Sequence, residues 1–116
     1  MSGMQRRKGA NGENEVCALL TDAFGLPGKL KRRLGQARDG EHDIDLPPLR
    51  IEVKRRARIA NLYEWLDQCS TGGHAGDIPV VMLRADTKGW LVCLELGHFI
   101  KLAREEIVAW QTRSAP

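Results

Sequence analysis

Residues 43–54 read DIDLPPLRIEVK, two stretches in which polar and apolar residues alternate on either side of a pair of prolines. Alternation with a period of two is typical of a half-buried β-strand, and Pro47-Pro48 marks a turn between the two stretches. The sequence therefore predicts an antiparallel pair of strands, and the rest of the fold is built outward from this pair.

The register of the predicted pair decides which side chains share a face of the sheet. If the chain reverses at the prolines, the pairs are Leu46 with Leu49, Asp45 with Arg50, and Asp43 with Glu52. Directly opposed residues project to one side with Cβ atoms about 5 Å apart, so the last pair brings two carboxylates together. Prolines cannot adopt the positive φ of the tightest hairpin turns, so the turn alone does not enforce this register.

Glu52 and Lys54 point to the same face of the second strand, about 7 Å apart along it. Opposed carboxylates destabilise a sheet unless a cation compensates them, and Lys54, a nearby arginine or a divalent metal can do so. Carboxylate oxygens are hard ligands suited to Mg²⁺, with Mn²⁺ as the expected substitute. The alternative is a surface strand whose acidic and basic side chains pair with one another in solvent.

A metal held by these carboxylates would polarise a phosphodiester and activate a water molecule, and Lys54 would stabilise the developing negative charge. The pattern thus suggests metal-dependent phosphodiester hydrolysis.

Glu13 supplies a third carboxylate. Apolar residues at helical spacing predict a first helix over residues 13–24, ending at Gly25 and Pro27. At about 100° per residue, Glu13 lies about 20° from Leu20 at the centre of the apolar stripe, and Glu15 lies about 140° away. A carboxylate facing the core needs a cation or a metal, although favourable interaction with the helix dipole is an equally good explanation.

The remaining periodicity completes an α/β fold in one domain spanning residues 1–116. The predicted elements are a strand over 30–34, a helix over 62–69, a buried strand over 78–83, a strand over 90–94 and a helix over 99–110. We expect a mixed sheet of about five strands flanked by helices. The apolar surroundings of Trp90 and Trp110 favour packing in the core, while Trp65 is left open between core packing and base stacking.

Composition excludes several classes of protein. Among the 116 residues, 42% are hydrophobic and 28% are charged, which is typical of a globular domain and argues against disorder or a coiled coil. No apolar run approaches the ~20 residues of a membrane helix, and residues 1–10 do not resemble an export signal. Three widely spaced cysteines, Cys17, Cys69 and Cys93, suggest buried thiols. We therefore expect a cytoplasmic protein of a microbe or a phage-infected cell.

Basic residues concentrate in the first half of the chain. Residues 1–60 hold 13 Lys or Arg against 8 Asp or Glu, a net +5, whereas residues 61–116 hold 5 against 7, a net −2. Clustered cations neutralise phosphates, so nucleic acid is the expected partner; a solvated basic surface without a partner is the alternative. The predicted phosphate contacts are Arg6, Arg7, Lys8, Arg33, Arg55, Arg56 and Arg58.

Several segments, taken in chain order, carry a family resemblance. They are residues 7–15 (RKGANGENE), 43–44 (DI), 51–54 (IEVK), 78–81 (IPVV) and 89–90 (GW). Over about residues 6–96 this ordered set resembles the archaeal-type Holliday junction resolvases of the PD-(D/E)xK nuclease superfamily, which includes small phage-encoded relatives of similar size. The resemblance implies a restriction-endonuclease-like sheet.

The resemblance also implies a set of functional residues and a role in DNA recombination and repair. Glu13, Asp43, Glu52 and Lys54 would form the catalytic group, with the three carboxylates and the Val53 carbonyl around Mg²⁺. The implied protein is a homodimer that makes paired nicks in a four-way DNA junction.

The sequence departs from the family pattern in three places. His42 stands where the superfamily often has proline, so the choice between Asp43 and Asp45 as principal ligand stays open. The loop over residues 35–41 lacks a serine-bearing segment of the archaeal enzymes, which leaves junction selectivity open. The chain after Leu96 matches nothing in the family, so the dimer surface is unassigned.

Two other functions remain open at this stage. One is a less selective nuclease that acts on flaps, ends or plain duplex. The other is a non-catalytic DNA-binding accessory protein, whose carboxylates form salt bridges and whose DNA binding depends on salt but not on Mg²⁺. The charge pattern does not distinguish DNA from RNA.

Overall fold

The predicted hairpin is the centre of the molecule. In the computed structural model, which describes residues 3–28, 30, 43–71 and 76–114, Leu46 pairs with Leu49 and Asp45 with Arg50, as the sequence predicts. The elements are α1 (Gly3–Ala23), β1 (Ile44–Leu46), β2 (Leu49–Arg56), α2 (Leu62–Ser70), β3 (Ile78–Ala85), β4 (Leu91–Cys93) and α3 (Leu96–Ser114).

The strands form one mixed sheet in the order β1-β2-β3-β4. β1 and β2 are antiparallel, β2 and β3 are parallel, and β3 and β4 are antiparallel. The α/β architecture with a mixed sheet is confirmed. Within the described residues the sheet has four strands rather than about five, because the strand predicted over 30–34 falls almost wholly outside them.

α1 covers one face of the hairpin. Val16 and Cys17 are buried against Ile44, Ile51 and Val53, where the alternating residues of β1 and β2 provide an apolar surface. The helix begins ten residues earlier than the sequence predicts, at Gly3, and ends close to the predicted position.

α2 covers the second apolar cluster. Trp65 and Leu66 pack against Val81 and Leu83 of β3. In the β2–β3 register Val81 lies beside Glu52 and Leu83 beside Lys54. Because paired residues share a face of the sheet, Glu52 and Lys54 project to the side where α2 lies.

α3 extends from the edge strand β4 and packs weakly against the rest of the described chain. The expected burial of Trp110 is wrong, since its side chain is 60% exposed, and Trp90 is only partly buried. Trp65 is the tryptophan that the described core buries. None of the helices in the described ranges is long and apolar enough to cross a membrane.

Candidate active site

Three carboxylates that the sequence singles out are withdrawn from solvent. Glu13 on α1, Asp43 immediately before β1, and Glu52 in the middle of β2 are 5%, 5% and 7% exposed. Buried carboxylates are rare in small proteins unless hydrogen bonds or cations compensate them. By contrast, Asp45 is exposed, so the burial distinguishes Asp43 from Asp45 as the acid at this site.

Asp43 extends the hairpin beyond its last pair. Its N–H donates to the Ile51 carbonyl at 2.8 Å, and its Oδ2 accepts a hydrogen bond from the Val53 N–H at 2.9 Å. A buried amide without a partner is costly, and the Asp43 carboxylate provides the acceptor for the Val53 amide. This hydrogen bond fixes the Asp43 carboxylate beside β2.

Glu52 and Lys54 form a close ion pair. Lys54 Nζ lies 3.0 Å from Glu52 Oε2, and both side chains are largely buried. The ammonium group also lies 5.4 Å from the centroid of the Trp65 ring, a favourable cation–π distance. Glu52 Oε1 is buried and has no hydrogen-bond partner among the described residues.

The electrostatics of Glu52 reflect its neighbours. Burial, the largest effect, and the charge of Asp43 raise the pKa of Glu52, Lys54 opposes both, and the net result is a rise from 4.5 to about 7. The charge of Glu13 also raises this pKa, as the smallest of the contributions. The charges of Asp43 and Glu13 therefore both act on Glu52, and that of Glu13, on the helix that covers the opposite face of β2, acts more weakly.

A divalent cation is the compensating charge that the sequence predicts beside these acids. Among the residues that the structure describes, no three His, Cys, Asp or Glu side chains are grouped closely enough to hold a metal ion. Mg²⁺ usually needs only one or two carboxylates and keeps water and substrate oxygens as its other ligands. The buried Oε1 of Glu52 beside the Asp43 carboxylate fits that smaller requirement.

Arg50 has a role that the sequence pattern did not reveal. Its guanidinium is 4% exposed and donates to the carbonyls of Cys69 at 3.0 Å and Thr71 at 2.8 Å, and it also lies 3.5 Å from Asp77. These contacts attach β2 to the chain on both sides of the α2–β3 connection. The alternation of polar and apolar residues in β2 could have indicated this role, because it places Arg50 on the face of the sheet that α2 covers.

The predicted phosphate contacts are only partly described. Arg58 is exposed, and Arg55 and Arg56 are half-buried at the carboxyl end of β2. Lys88, which the sequence pattern did not single out, is exposed in the turn after β3 and joins the same edge of the sheet, because the Asp86 N–H bonds to the Arg56 carbonyl. The side chains of Arg6, Arg7 and Lys8, and the whole of Arg33 and His42, lie outside the described residues.

Comparison with known proteins gives no family and no relative. No family model matches the sequence, no curated protein is similar to it, and no solved structure matches the fold. The fold and the site define an α/β protein with a mixed four-stranded sheet in its described part and three buried carboxylates, one of which is paired with a lysine.

Proposed function

We propose that this protein is a Mg²⁺-dependent DNA endonuclease that cuts four-way junctions. The observation that carries the proposal is the buried Glu52, which holds Lys54 on one oxygen, has a second oxygen without a hydrogen-bond partner and lies within the electrostatic influence of Asp43 and Glu13. A purely structural ion pair does not require an unsatisfied buried oxygen.

The proposed metal ligands are Asp43, Glu52 and the Val53 carbonyl, with Glu13 alongside. The N–H and C=O of a strand residue point to the same edge, so the Val53 carbonyl faces the side on which its N–H meets Asp43. When bound, Mg²⁺ would polarise the scissile phosphodiester and lower the pKa of an attacking water molecule.

The protein's own side chains would stabilise the charge on the phosphate and position the reacting groups. Lys54 provides a positive charge beside the acids, where it can stabilise the negative charge that develops on the phosphate. Trp65 limits the movement of the Lys54 ammonium group through the cation–π contact. Burial of the cluster keeps these groups preorganised, so little rearrangement is needed when the substrate binds.

The basic residues at the carboxyl ends of β2 and β3 would bind the DNA backbone. Arg58 and Lys88 are exposed there, and phosphate contacts of this kind position a strand without reading its sequence. The resemblance in residues 6–96 adds the junction as substrate and a homodimer as the active form.

The direct test is cleavage of labelled DNA. The protein is incubated with a four-way junction, a flap and a plain duplex at equal concentration, with and without Mg²⁺, and the products are resolved by denaturing electrophoresis. We expect Mg²⁺-dependent paired nicks in the junction. Glu52→Gln and Lys54→Met should each lower the cleavage rate by roughly 100-fold or more and leave junction binding intact.

Matched controls use exposed residues of the same types. Glu64→Gln on α2 and Lys101→Met on α3 should cleave like the parent protein. Equal cleavage of flap and duplex would replace the junction assignment with a less selective nuclease. Salt-sensitive binding without cleavage under any metal condition would replace the enzyme assignment with a DNA-binding accessory protein.

A further inference from the structure

We propose that Arg55 and Arg84 together bind one phosphate group of the DNA backbone, on the face of the sheet that α1 covers. This site lies on the opposite face from Glu52 and Lys54, and in the free protein the carboxylate of Glu15 occupies Arg84. The inference rests on the proposed function for its ligand, a DNA strand. Its test measures binding without metal, so the outcome does not depend on cleavage.

Two arginines are neighbours on this face of the sheet. Arg55 of β2 pairs with Arg84 of β3 in the parallel register. Paired residues project to the same side, and neighbouring strands lie about 4.8 Å apart, so the two side chains leave the sheet next to each other. Val53 and Met82, the pair two residues earlier, contact the apolar cluster beneath α1, which identifies this side as the α1 face. Two like charges so close together repel each other unless an anion compensates them.

One carboxylate compensates part of this charge. The two oxygens of Glu15, on α1, accept hydrogen bonds from Arg84 Nη1 at 3.1 and 3.2 Å. Glu15 Oε1 also accepts a hydrogen bond from the Trp90 indole N–H at 3.2 Å. Among the described residues, no carboxylate forms an ion pair with Arg55. Two cations and one carboxylate leave an excess of positive charge on this face.

The two guanidinium groups also have unused donors. The Nε atoms of Arg55 and Arg84 are both buried and have no hydrogen-bond partner in the described part of the chain. A buried donor without an acceptor is costly, and an ion pair formed only for stability does not require two of them side by side. Solvent nevertheless reaches both groups, since Arg55 is half-buried and the Arg84 side chain is 23% exposed. The unused donors therefore point to an acceptor from outside the chain.

The missing acceptor has the chemistry of a phosphate. Two adjacent arginines present several N–H donors to one oxyanion, and the planar fork of arginine matches the geometry of phosphate oxygens. The Glu15 carboxylate on Arg84 shows that an oxyanion fits there. Arg55 and Arg84 are next to last in β2 and β3, at the same edge as Arg58 and Lys88. One DNA backbone can therefore contact this site and those exposed residues in succession.

The test is the affinity of the full chain for fluorescent junction DNA in EDTA, measured by anisotropy over a range of salt concentrations. Arg55→Gln and Arg84→Gln should each weaken binding roughly 10-fold. Each should also make the slope of the logarithm of the association constant against the logarithm of the salt concentration less negative by about 0.9. Arg104→Gln removes the same charge from an exposed position on α3 and should bind like the parent. Circular dichroism checks that each variant is folded.

Glu15→Gln distinguishes a phosphate site from a structural ion pair. The variant removes the carboxylate that competes for Arg84 and keeps an acceptor for Trp90, so it should tighten DNA binding roughly 5-fold. Glu105→Gln, at an exposed position on α3, removes the same charge and should change the affinity less than about 2-fold. If the contact between Glu15 and Arg84 were only structural, Glu15→Gln would not bind DNA more tightly than Glu105→Gln does.

The outcomes separate this site from the proposed enzyme. If Arg55→Gln and Arg84→Gln both kept the parent's DNA affinity and salt slope, the phosphate site would be wrong even if the protein cleaved junctions. Weaker binding by both variants, in a protein that cleaves nothing, would support the site and overturn the enzyme.

Inorganic phosphate is a second probe, because a free phosphate has the same oxygens as the DNA backbone. If it raised the melting temperature of the parent but not of the arginine variants, while DNA affinity stayed equal, the site would bind free phosphate and the DNA assignment would be wrong.

Discussion

The environment of Glu52 opposes the charge of its carboxylate. Its folded-state pKa of about 7 exceeds the ordinary 4.5, so between these values the folded protein binds a proton that the unfolded chain releases. This contribution to stability is complete below pH 4.5 and is lost as the pH rises through 7. Without metal, we therefore expect Glu52→Gln to be more stable than the parent by about 3 kcal/mol at pH 8, with little difference at pH 4.5.

Urea unfolding in EDTA at pH 4.5, 6 and 8 measures this difference. Glu64→Gln removes a carboxylate from an exposed site and should leave the free energy of unfolding within about 0.5 kcal/mol of the parent at each pH. If Glu52→Gln had the same effect at pH 4.5 and pH 8, the assigned environment of Glu52 would be wrong.

The positions of most candidate site residues on their helix or strand were predictable from the sequence. Helical angle placed Glu13 on the inner face of α1, and strand alternation placed Glu52 and Lys54 together. The Asp43 hydrogen bond to Val53 could not be predicted, because it depends on where β1 ends relative to β2. The cation–π contact of Trp65 with Lys54 also could not be predicted, because it depends on how α2 packs against β2 in the tertiary structure.

At the scale of the elements, Arg50 connects β2 to both sides of the α2–β3 connection. Replacing it with methionine removes the donors from the Cys69 and Thr71 carbonyls and the cation from Asp77. Because the buried Cys69 carbonyl then loses this donor, we expect Arg50→Met to lower the free energy of unfolding by about 3 kcal/mol in urea titrations. Arg58→Met, at an exposed position, is the control and should change it by less than about 0.5 kcal/mol. An equal effect of both variants would contradict the role of Arg50.

Gly12 sets how closely α1 approaches β2. A Cβ at this position would lie 3.3 Å from Arg55 Cβ and 3.5 Å from the Trp90 ring. Gly12→Val should force α1 and its Glu13 away from the sheet and destabilise the fold by about 1–3 kcal/mol, measured by thermal or urea unfolding. A Cβ at Gly97 on α3 would meet no atom within 4 Å, so Gly97→Val should be neutral or slightly stabilising. Equal destabilisation by the two variants would show that the close approach at Gly12 is unimportant.

The limits of the elements were less predictable than their order. α1 begins at Gly3 rather than at residue 13, because its first turns carry glycine and basic residues that give no apolar periodicity. The apolar periodicity of α3 correctly predicted a helix, but the core packing expected for its Trp110 was wrong. A periodic pattern shows that a face needs to be buried, but it does not show which surface buries it.

On the scale of the whole molecule, the parallel contact between β2 and β3 joins segments on either side of α2. Nothing local in the sequence specifies that pairing, whereas the β1–β2 hairpin follows from one short stretch. The sequence therefore predicts the mixed α/β class and the hairpin register, and leaves the strand order to tertiary packing. This order matters for the proposed function, because it brings the carboxyl ends of β2 and β3 together at one basic edge.

The basic edge at the carboxyl ends of β2 and β3 leads to a prediction about the salt dependence of DNA binding. Each phosphate contact contributes about −0.9 to the slope of the logarithm of the DNA association constant against the logarithm of the salt concentration. Removing one contact should therefore make this slope less negative by about 0.9. We expect this for Arg58→Ala, measured by fluorescence anisotropy with junction DNA in the absence of divalent metal. Lys101→Ala removes one charge from α3, away from this edge, and should leave the slope unchanged. Identical slopes for Arg58→Ala and the parent would place the DNA on another surface.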